Sequence, residues 1–372
     1  MHLDRRTAIV TLTATVLLAV DAFAQEVPSS NRQEQPSSSV PEPAAKLRDI
    51  IVGQRVAMMV GVVAELGVAD HLKDGPKRVE ELAQATQAHP SSLYRVLRAL
   101  ASYGIFAEDS DGRFRLTPVA EFLRSDIPGS QRESARGMTT EQQWRSHGNM
   151  LNAVRSGKTA IEHAFGMSLW EYLAKHPTEQ QGFNARMVEG SRREASRLVK
   201  AYDFSGVGSV VDIAGGQGVL LEHILKAHSQ TRAVLFELPS VIEAARRSLD
   251  PALLGRTELT SGDFFKAVPA GGDIYVLKNI LHDWEDERAT AILKNVRRAM
   301  TDRSRLLVIE GVVPKGNSPS PTKMMDITML MATGGRERTE AEHRALLKGG
   351  GFRLARIIPV TPLTSIIEAV PE

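Results

Sequence analysis

The second half of the chain alternates short runs of apolar, β-branched residues with longer segments of helical periodicity. The short runs span 209–214, 232–237, 257–261, 273–278, 306–310, 352–359 and 365–370. This alternation predicts an α/β fold in residues 201–372, with a doubly wound and mostly parallel sheet covered by helices on both faces. No helical segment separates the last two runs, so we expect those two strands to pair antiparallel at one edge of the sheet.

The first half shows helical patterning instead. Small and apolar residues dominate 46–66 so thoroughly that a helix there should be buried nearly all round, against the rest of the chain or another subunit. The elements predicted after it are a helix at 79–83, a turn with a serine cap at 89–92, a helix whose apolar face carries Leu93, Val96, Leu97 and Leu100, and two strands around a turn at 109–112. Helix, turn, helix and hairpin is the layout of a winged helix.

A winged helix in residues 46–125 has two competing interpretations. Contact with DNA would place the helix that carries Tyr94, Arg95 and Arg98 in a major groove. That helix has few basic residues, and 46 basic against 44 acidic residues give the whole chain a formal charge of only +2. We therefore predict a dimerisation domain and no nucleic-acid partner. The helices expected between 126 and 200 would form a connector that lines a substrate pocket.

The amino terminus has the pattern of an export signal. In residues 1–24, two arginines precede an apolar run at 8–20 and an Ala-Phe-Ala cleavage site, which is typical of a signal peptide. Residues 25–45 are rich in Pro, Ser, Gln and Glu and are predicted to be a disordered linker. An over-extended start codon or a membrane anchor is the alternative interpretation. We expect a periplasmic or secreted protein, without membrane contact in its mature form, if the signal functions, and a cytoplasmic protein otherwise.

The chain contains no cysteine, which excludes thiolate catalysis, disulfides and cysteine-based zinc sites. Ligands of doubly wound sheets bind beyond the carboxyl ends of the strands, so polar residues there are candidates. The first strand end reads V-V-D-I-A-G-G-Q-G, and its glycines permit a tight turn and close approach of a ligand to a helix N-terminus. The residue three after Gly218 is Leu221, so the G-x-G-x-x-G fingerprint of nicotinamide sites fails.

The next two strand ends carry residues that suit a nucleoside. Glu237 follows Gly218 by 237 − 218 = 19 positions, and a carboxylate there can accept both hydroxyls of a ribose. Asp263 could accept from an adenine amino group while Phe264 covers the ring face. A solvated loop acid and a core ring are the respective alternatives.

The fourth strand end reads K-N-I-L-H-D-W-E-D-E, with His282 between a buried strand and an acidic helix start that begins at Asp283 or shortly after. An isolated histidine at a helix start is usually structural. This one lies over the predicted crevice, and an imidazole can take a proton at neutral pH. The acids that follow it are interpreted as a charged first helical turn.

Six segments of the chain follow one another in an order known from one enzyme family. They read V-D-I-A-G-G-Q-G, F-E-L-P-S-V-I-E-A-A, S-G-D-F-F, L-K-N-I-L-H-D-W, L-L-V-I-E-G-V-V-P and G-G-R-E-R-T-E-A-E-H. The chain from residue 46 to the end thereby resembles the S-adenosylmethionine-dependent small-molecule O-methyltransferases of the caffeic-acid and hydroxyindole type. The resemblance implies a Rossmann-like class I methyltransferase domain, a homodimer with interlocking N-terminal domains, and metal-independent methyl transfer from S-adenosyl-L-methionine to a hydroxyl of an aromatic or related small molecule.

The resemblance also implies roles for individual residues. His282 would be the general base, with Glu310 and Glu337 flanking the imidazole and stabilising its protonated form. The positions that match cofactor contacts are Asp212, Gly216, Glu237, Asp263, Phe264 and Lys278. Two mild departures are Ala214, where the family has a glycine, and Glu237, where aspartate is more frequent.

The acceptor pocket is the part of the site that the sequence predicts least well. Candidate apolar walls are Met138, Trp144, Met325 and Met329, with core packing as the alternative for each, and Asp326 is a candidate for binding a polar substituent. Two other functions remain open at this point. One is a family relative that uses the same cofactor for decarboxylation or hydroxylation, and the other is a winged-helix regulator that senses S-adenosylmethionine.

Overall fold

The computed structural model describes residues 42–372. The predicted signal peptide at 1–24 and the linker as far as residue 41 lie outside the described residues. The first helix begins at Glu42, so the linker prediction is wrong for residues 42–45. Proline is tolerated in the first turn of a helix and an acid there complements the positive helix end, which explains why Glu42 and Pro43 can start it.

The winged-helix layout predicted for the first part of the chain is present. Its elements are α1 (Glu42–Glu65), α2 (Val68–His71), β1 (Lys77–Arg78), α3 (Val79–Thr86), α4 (Pro90–Ser102), β2 (Phe106–Glu108), β3 (Arg113–Leu116) and a 3₁₀ turn (Ala120–Leu123). The three strands form an antiparallel sheet in the order β1-β3-β2. The apolar faces of α3 and α4 pack against this sheet in a core of their own.

Two details concern the helices of this region. In the single chain only Gly61, Val63 and Ala64 of α1 are buried, so burial of this helix against another subunit stays a prediction. The predicted serine cap of α4 is wrong. His89 is the capping residue, and its Nδ1 accepts a hydrogen bond from the Ser92 N–H at 3.4 Å.

Helices connect the winged helix to the large sheet. They are α5 (Arg132–Gly137), α6 (Glu141–Gly148), α7 (Met150–Ser156), α8 (Ala160–Phe165), α9 (Leu169–Lys175) and α10 (Pro177–Ala201). Thr159 and Ser168 start α8 and α9 with capping boxes, so these short helices begin where the sequence places a hydroxyl three residues before a glutamate. The last and longest of the connecting helices, α10, packs against α5 and against the helix at 219–227, next to the large sheet.

All seven strands predicted in the second half are present in one sheet. They are β4 (Ser209–Ile213), β5 (Arg232–Glu237), β6 (Thr257–Ser261), β7 (Ile274–Lys278), β8 (Arg305–Glu310), β9 (Phe352–Pro359) and β10 (Ser365–Pro371). The order is β6-β5-β4-β7-β8-β10-β9, parallel from β6 to β8. The antiparallel pairing of the last two strands is confirmed; β10 lies between β8 and β9, so β9 alone occupies the edge.

Two apolar layers cover this sheet. The helices on its two faces are α11 (Val219–Ala227), α12 (Pro239–Ser248), α13 (Pro251–Leu254), α14 (Asp286–Ala299) and α16 (Glu340–Gly349). The remaining helix, α15 (Pro321–Ala332), packs against the connecting helices α6, α7 and α8. Successive strand residues alternate between the layers, as Val210 and Val211 show by joining different cores. The carboxyl ends of the five parallel strands meet at one edge, where the candidate residues lie. Within residues 42–372, no helix has the length and apolar content that a membrane crossing needs.

Candidate active site

The turn after β4 forms a glycine-lined cradle at the carboxyl edge of the sheet. A Cβ on Gly215 would lie 2.3 Å from Asp212 Oδ2 and 2.8 Å from Leu235 Cδ1, so only glycine fits. Gly216 and Gly218 have left-handed φ angles of 61° and 78°, which glycine adopts without steric cost. Because α11 begins directly afterwards, its free N–H groups face this turn. The backbone here can therefore approach a ligand closely.

Ala214 stands at the one position of this turn where the resembled family has another glycine. Its φ is 56°, a left-handed conformation that costs a residue with a Cβ about 1–2 kcal/mol. The Ala214 N–H is held in place by the Phe236 carbonyl at 2.8 Å. The sequence predicts a mild replacement, and the structure adds that its cost falls on the backbone.

Two acids line the cradle, the buried Asp212 and the half-buried Glu237. Asp212 is 1% exposed, and its Oδ1 has no hydrogen-bond partner among the described residues. Burial raises the pKa of Asp212 to about 7, with Lys278 lowering it and Glu237 raising it further. Burial likewise raises the pKa of Glu237, although its Oε1 accepts from the Gly216 N–H at 3.2 Å. A buried carboxylate oxygen without a partner beside a glycine cradle is a candidate acceptor for a hydrogen bond from a bound molecule.

Lys278 ends β7 and faces α10. Its Nζ lies 3.3 Å from Ser191 Oγ and 3.7 Å from Glu194 Oε2. Burial lowers the pKa of the ammonium group, while the charges of Glu194 and Asp212 raise it. The lysine thus supplies a positive charge that acts on Asp212, and α10 is the element that holds it.

At the third predicted strand end, Asp263 and Phe264 contact mainly residues close to them in the chain. Asp263 Oδ1 accepts a hydrogen bond from the Phe265 N–H at 2.9 Å and so caps its own turn. Phe264 is half-buried, with its ring centroid 4.8 Å from that of Phe265 and 6.2 Å from that of Trp284. This places Phe264 in an aromatic cluster next to the segment that carries His282.

His282 lies on a buried 3₁₀ turn (Leu281–Asp283) between β7 and α14, with 7% of its surface exposed. Its Nδ1 is 2.7 Å from Glu337 Oε1. Glu310 Oε1 accepts from the backbone N–H groups of Ile280, at 3.1 Å, and His282, at 3.0 Å. The structure therefore brings both predicted acids to the histidine, one to the ring and the other to the backbone of its turn.

Asp283 is a further acid at the imidazole. It precedes the helix, because α14 begins at Asp286 with Glu285 as its cap, shortly after Asp283 as the sequence predicts. Asp283 Oδ1 lies 3.9 Å from His282 Nε2. Burial raises the pKa of Asp283 to about 6; the charge of His282 lowers it, and the charges of the neighbouring glutamates raise it.

These acids control the protonation of the imidazole. Burial lowers the pKa of His282, but the hydrogen bond to Glu337 and the charges of Asp283 and Glu310 outweigh burial and raise the pKa to about 9. The second oxygens of Glu310 and Glu337 are buried without a partner among the described residues. The arrangement stabilises an imidazolium, which is the species that a general base becomes after it takes a proton.

The residues predicted to line an acceptor pocket occupy mixed environments. Trp144 is 49% exposed and Met329 is 6% exposed, while Met138 and Met325 are half-buried. Asp326 Oδ1 accepts a hydrogen bond from the Glu337 N–H at 3.0 Å. In this structure, that acid therefore supports the partner of the histidine.

Two domain families match the sequence. The O-methyltransferase dimerisation domain matches residues 49–126, and the O-methyltransferase domain matches residues 147–353. The chain belongs to the O-methyltransferase family. This finding confirms the resemblance, the class of enzyme and the interpretation of the winged helix as a dimerisation domain.

Individual relatives of this methyltransferase support the same assignment. The phenazine O-methyltransferase of Lysobacter antibioticus is 43% identical over 326 residues, which cover 87% of this chain and 95% of that protein. The solved mitomycin 7-O-methyltransferase superposes with a TM-score of 0.83 at 36% identity and covers 88% of this chain and 97% of its own. An O-methyltransferase from neocarzinostatin biosynthesis, solved with S-adenosylmethionine and 2-hydroxy-5-methyl naphthoic acid, has a TM-score of 0.74 at 34% identity, covering 85% and 96%. The cofactor prediction, S-adenosyl-L-methionine, is therefore confirmed for the family.

Two residues beside the histidine of this methyltransferase have no individual signal in the sequence. A Cβ on Gly335 would lie 2.0 Å from the His282 carbonyl oxygen and 2.5 Å from the Trp284 nitrogen, so the two segments pack backbone to backbone. Arg338 is 1% exposed and is the largest fully buried side chain in the described part of the chain. Both belong to the G-G-R-E-R-T segment, and only the match of that whole segment to a family motif indicated that it lies near the site.

Proposed function

We propose that the protein transfers the methyl group of S-adenosyl-L-methionine to a hydroxyl of an aromatic small molecule, with His282 as general base. The observation that carries the proposal is the buried 2.7 Å contact between His282 Nδ1 and Glu337 Oε1, at the same sheet edge as the glycine cradle. A family member with this arrangement has the two parts that the reaction needs. One part binds the donor, and the other removes a proton from the acceptor.

The residues of the cradle fit the donor. Asp212 Oδ1 lacks a partner, Gly215 leaves no room for a side chain, and Glu237 offers carboxylate oxygens suited to ribose hydroxyls. Asp263, Phe264 and Lys278 complete the proposed set. When bound, S-adenosyl-L-methionine supplies an electrophilic methyl group on a sulfonium. The protein must then align the acceptor oxygen with that methyl group and take up one proton.

Glu337 determines which nitrogen of His282 takes up the proton of the acceptor. A carboxylate at 2.7 Å favours the tautomer in which Nδ1 carries the hydrogen and donates it to Glu337 Oε1. Nε2 is then left with its lone pair to accept the proton of an acceptor hydroxyl. Asp283, at 3.9 Å from Nε2, stabilises the imidazolium that results. A base placed in this way contributes roughly 10²–10⁴-fold in rate.

An aromatic acceptor is supported by the named relatives, which act on phenazines and mitomycins or bind a naphthoic acid. It is also supported by the aromatic surroundings of the histidine turn, where Trp170 stacks on Trp284 at 6.2 Å. Metal independence is part of the proposal. It follows from the chemistry of the donor, because a sulfonium is already a good leaving group and the protein need only align the acceptor oxygen and remove one proton. The dimerisation domain supports a homodimer as the working form.

The proposal is tested by incubating the purified chain with methyl-labelled donor and a panel of hydroxylated phenazines, naphthoates and simpler phenols. We expect label on a hydroxyl oxygen of at least one aromatic acceptor, at the same rate with and without a chelator. The matched control for each acceptor is the same compound with its hydroxyl already methylated, which should take no label. A chain that binds the donor but labels no aromatic hydroxyl would contradict the proposal, and a rate abolished by chelation would contradict metal independence.

The raised pKa of His282 makes the rate depend on pH. A general base must be neutral, so kcat/KM for the acceptor should rise with pH and level off as the pH passes about 9. The sign of the effect on stability is opposite. The protonated histidine stabilises the fold below its unfolded pKa, near 6.5, and this stabilisation is lost as the pH rises through 9. Activity regained after return to pH 8 controls for unfolding, and a rate that stays flat between pH 6 and 10 would exclude His282 as the base.

A further inference from the structure

Arg338 has an unusual environment for a charged side chain. It is 1% exposed, and its guanidinium hydrogen bonds go largely to the backbone. Nη1 donates to the Leu281 carbonyl at 3.0 Å and Nη2 donates to the Trp284 carbonyl at 2.9 Å. Nε and Nη2 also donate to Asp286 Oδ1, at 3.1 and 2.8 Å. These three acceptors lie within a few residues of His282, on the turn that carries it or just beyond, and a fourth acceptor, the Arg336 carbonyl at 3.4 Å, belongs to Arg338's own segment.

The turn that carries His282 depends on such outside contacts. It is a 3₁₀ turn of only three residues, and a short 3₁₀ segment has poor hydrogen-bond geometry of its own. Glu310 accepts the N–H groups on one side of the turn. Arg338 donates to the carbonyl groups on the other side. The backbone of the turn is therefore fixed from two directions by two buried charges.

Arg338 also connects the turn to Glu337, its neighbour in the chain. The Arg338 carbonyl accepts from the Val313 N–H at 2.9 Å, and Asp326 accepts the Glu337 N–H, so the segment that carries both side chains is itself held. A guanidinium that spans the gap between this segment and the turn sets the separation of His282 Nδ1 from Glu337 Oε1. Its rigid fork geometry makes arginine suited to this task.

We propose that Arg338 is a positioning residue, which holds the turn of His282 against the segment of Glu337 and thereby sets the direction in which the imidazole presents Nε2. The inference rests on the proposed function, because it assigns Arg338 a task in the same reaction. The residue touches neither the acceptor nor the donor in this scheme and acts only through His282 and Glu337.

The test compares Arg338→Lys with Arg336→Lys in the full chain. Lysine keeps the buried charge but lacks the fork, so Arg338→Lys should lower kcat by about 10–10²-fold and leave the Kd of the donor unchanged. Arg336 is the matched control, since it pairs with the same Asp286 but is 48% exposed. We expect Arg336→Lys to retain native kcat.

A second readout does not depend on turnover. Titration of His282 by NMR of the histidine-labelled protein should show a lower pKa in Arg338→Lys than in the native chain, because the bond to Glu337 weakens. The charged groups that face the imidazole, Glu337, Asp283 and Glu310, are unchanged in the variant. A folded variant whose His282 titrates as in the native chain would overturn the proposal, whatever its kcat.

Asp286→Asn covers the case in which Arg338→Lys does not fold. Asp286 is 51% exposed and holds Arg338 from the solvent side, so its replacement loosens the guanidinium without emptying a buried site. We expect a smaller change of the same sign in both kcat and the His282 pKa, and no change in either would overturn the proposal. If His282→Ala stays active while these variants still shift the His282 pKa, the proposed base is wrong and the positioning role stands.

Discussion

Replacing His282 by alanine is expected to lower kcat by roughly 10²–10⁴-fold. Alanine removes Nε2, the only nitrogen of the ring that the bond between Nδ1 and Glu337 leaves open to accept a proton. Binding of the donor should be unchanged, since the proposed donor contacts lie in the glycine cradle and beyond the ends of β5, β6 and β7. The measurement is transfer of labelled methyl to a saturating acceptor, together with calorimetric titration of the donor.

The matched control is His228→Ala. His228 caps the C-terminal end of α11, whereas the glycine turn precedes its N-terminal end. The His228 ring lies against Phe204. We expect this variant to keep native kcat, so that a loss in His282→Ala reports the position of the imidazole. Native turnover in His282→Ala would remove the residue from the mechanism and leave the family assignment intact.

A methyl group added at Gly335 should damage both stability and turnover. The Cβ of Gly335→Ala would lie 2.0 Å from the His282 carbonyl oxygen and 2.5 Å from the Asp283 carbonyl carbon. Backbone atoms cannot rotate away as a side chain can, so the turn must move. We expect the free energy of unfolding to fall by about 1–3 kcal/mol. A displacement of the turn by about 1 Å would lower kcat by about 10²-fold.

The control for Gly335→Ala is Gly255→Ala, where an added Cβ meets no atom within 4 Å and φ is −66°. That variant should match the native chain in melting temperature and kcat. Thermal unfolding and methyl transfer measured on both variants decide the outcome. A Gly335→Ala protein with native values would show that the two segments are less tightly packed than their separation indicates.

The large sheet could be predicted from the sequence because its strands are short, apolar and flanked by helical periodicity. All seven predicted strands agree with the observed bounds to within one residue at each end. The order of β10 and β9 was not predictable in the same way. Both are apolar runs without a helix between them, and nothing local determines which one pairs with β8.

The site residues that lie in a recognised motif were predicted from the sequence. Those whose role depends only on contacts between distant parts of the chain were not. His282, Glu310 and Glu337 come from three separate segments and were found by resemblance. Asp283 was given no role at the imidazole, because a helix was expected to begin there or shortly after and acids are common at helix starts. Arg338 was missed for a different reason. Its partners lie more than 50 residues away in the chain, and an arginine in a polar segment gives no indication of burial.

The sequence places the boundary between the connector and the catalytic domain at residue 200. Helix α10 lies before that boundary but packs as part of the catalytic domain. Its Ser191 and Glu194 hold Lys278, and its Ala195 and Leu198 complete one apolar layer of the sheet. On the opposite face Arg193 donates to the Ser130 carbonyl at 3.0 Å. Anyone who builds hybrid enzymes from this chain should therefore join the parents ahead of Pro177. A splice at residue 201 would combine the proposed donor site of one parent with helix α10 of the other.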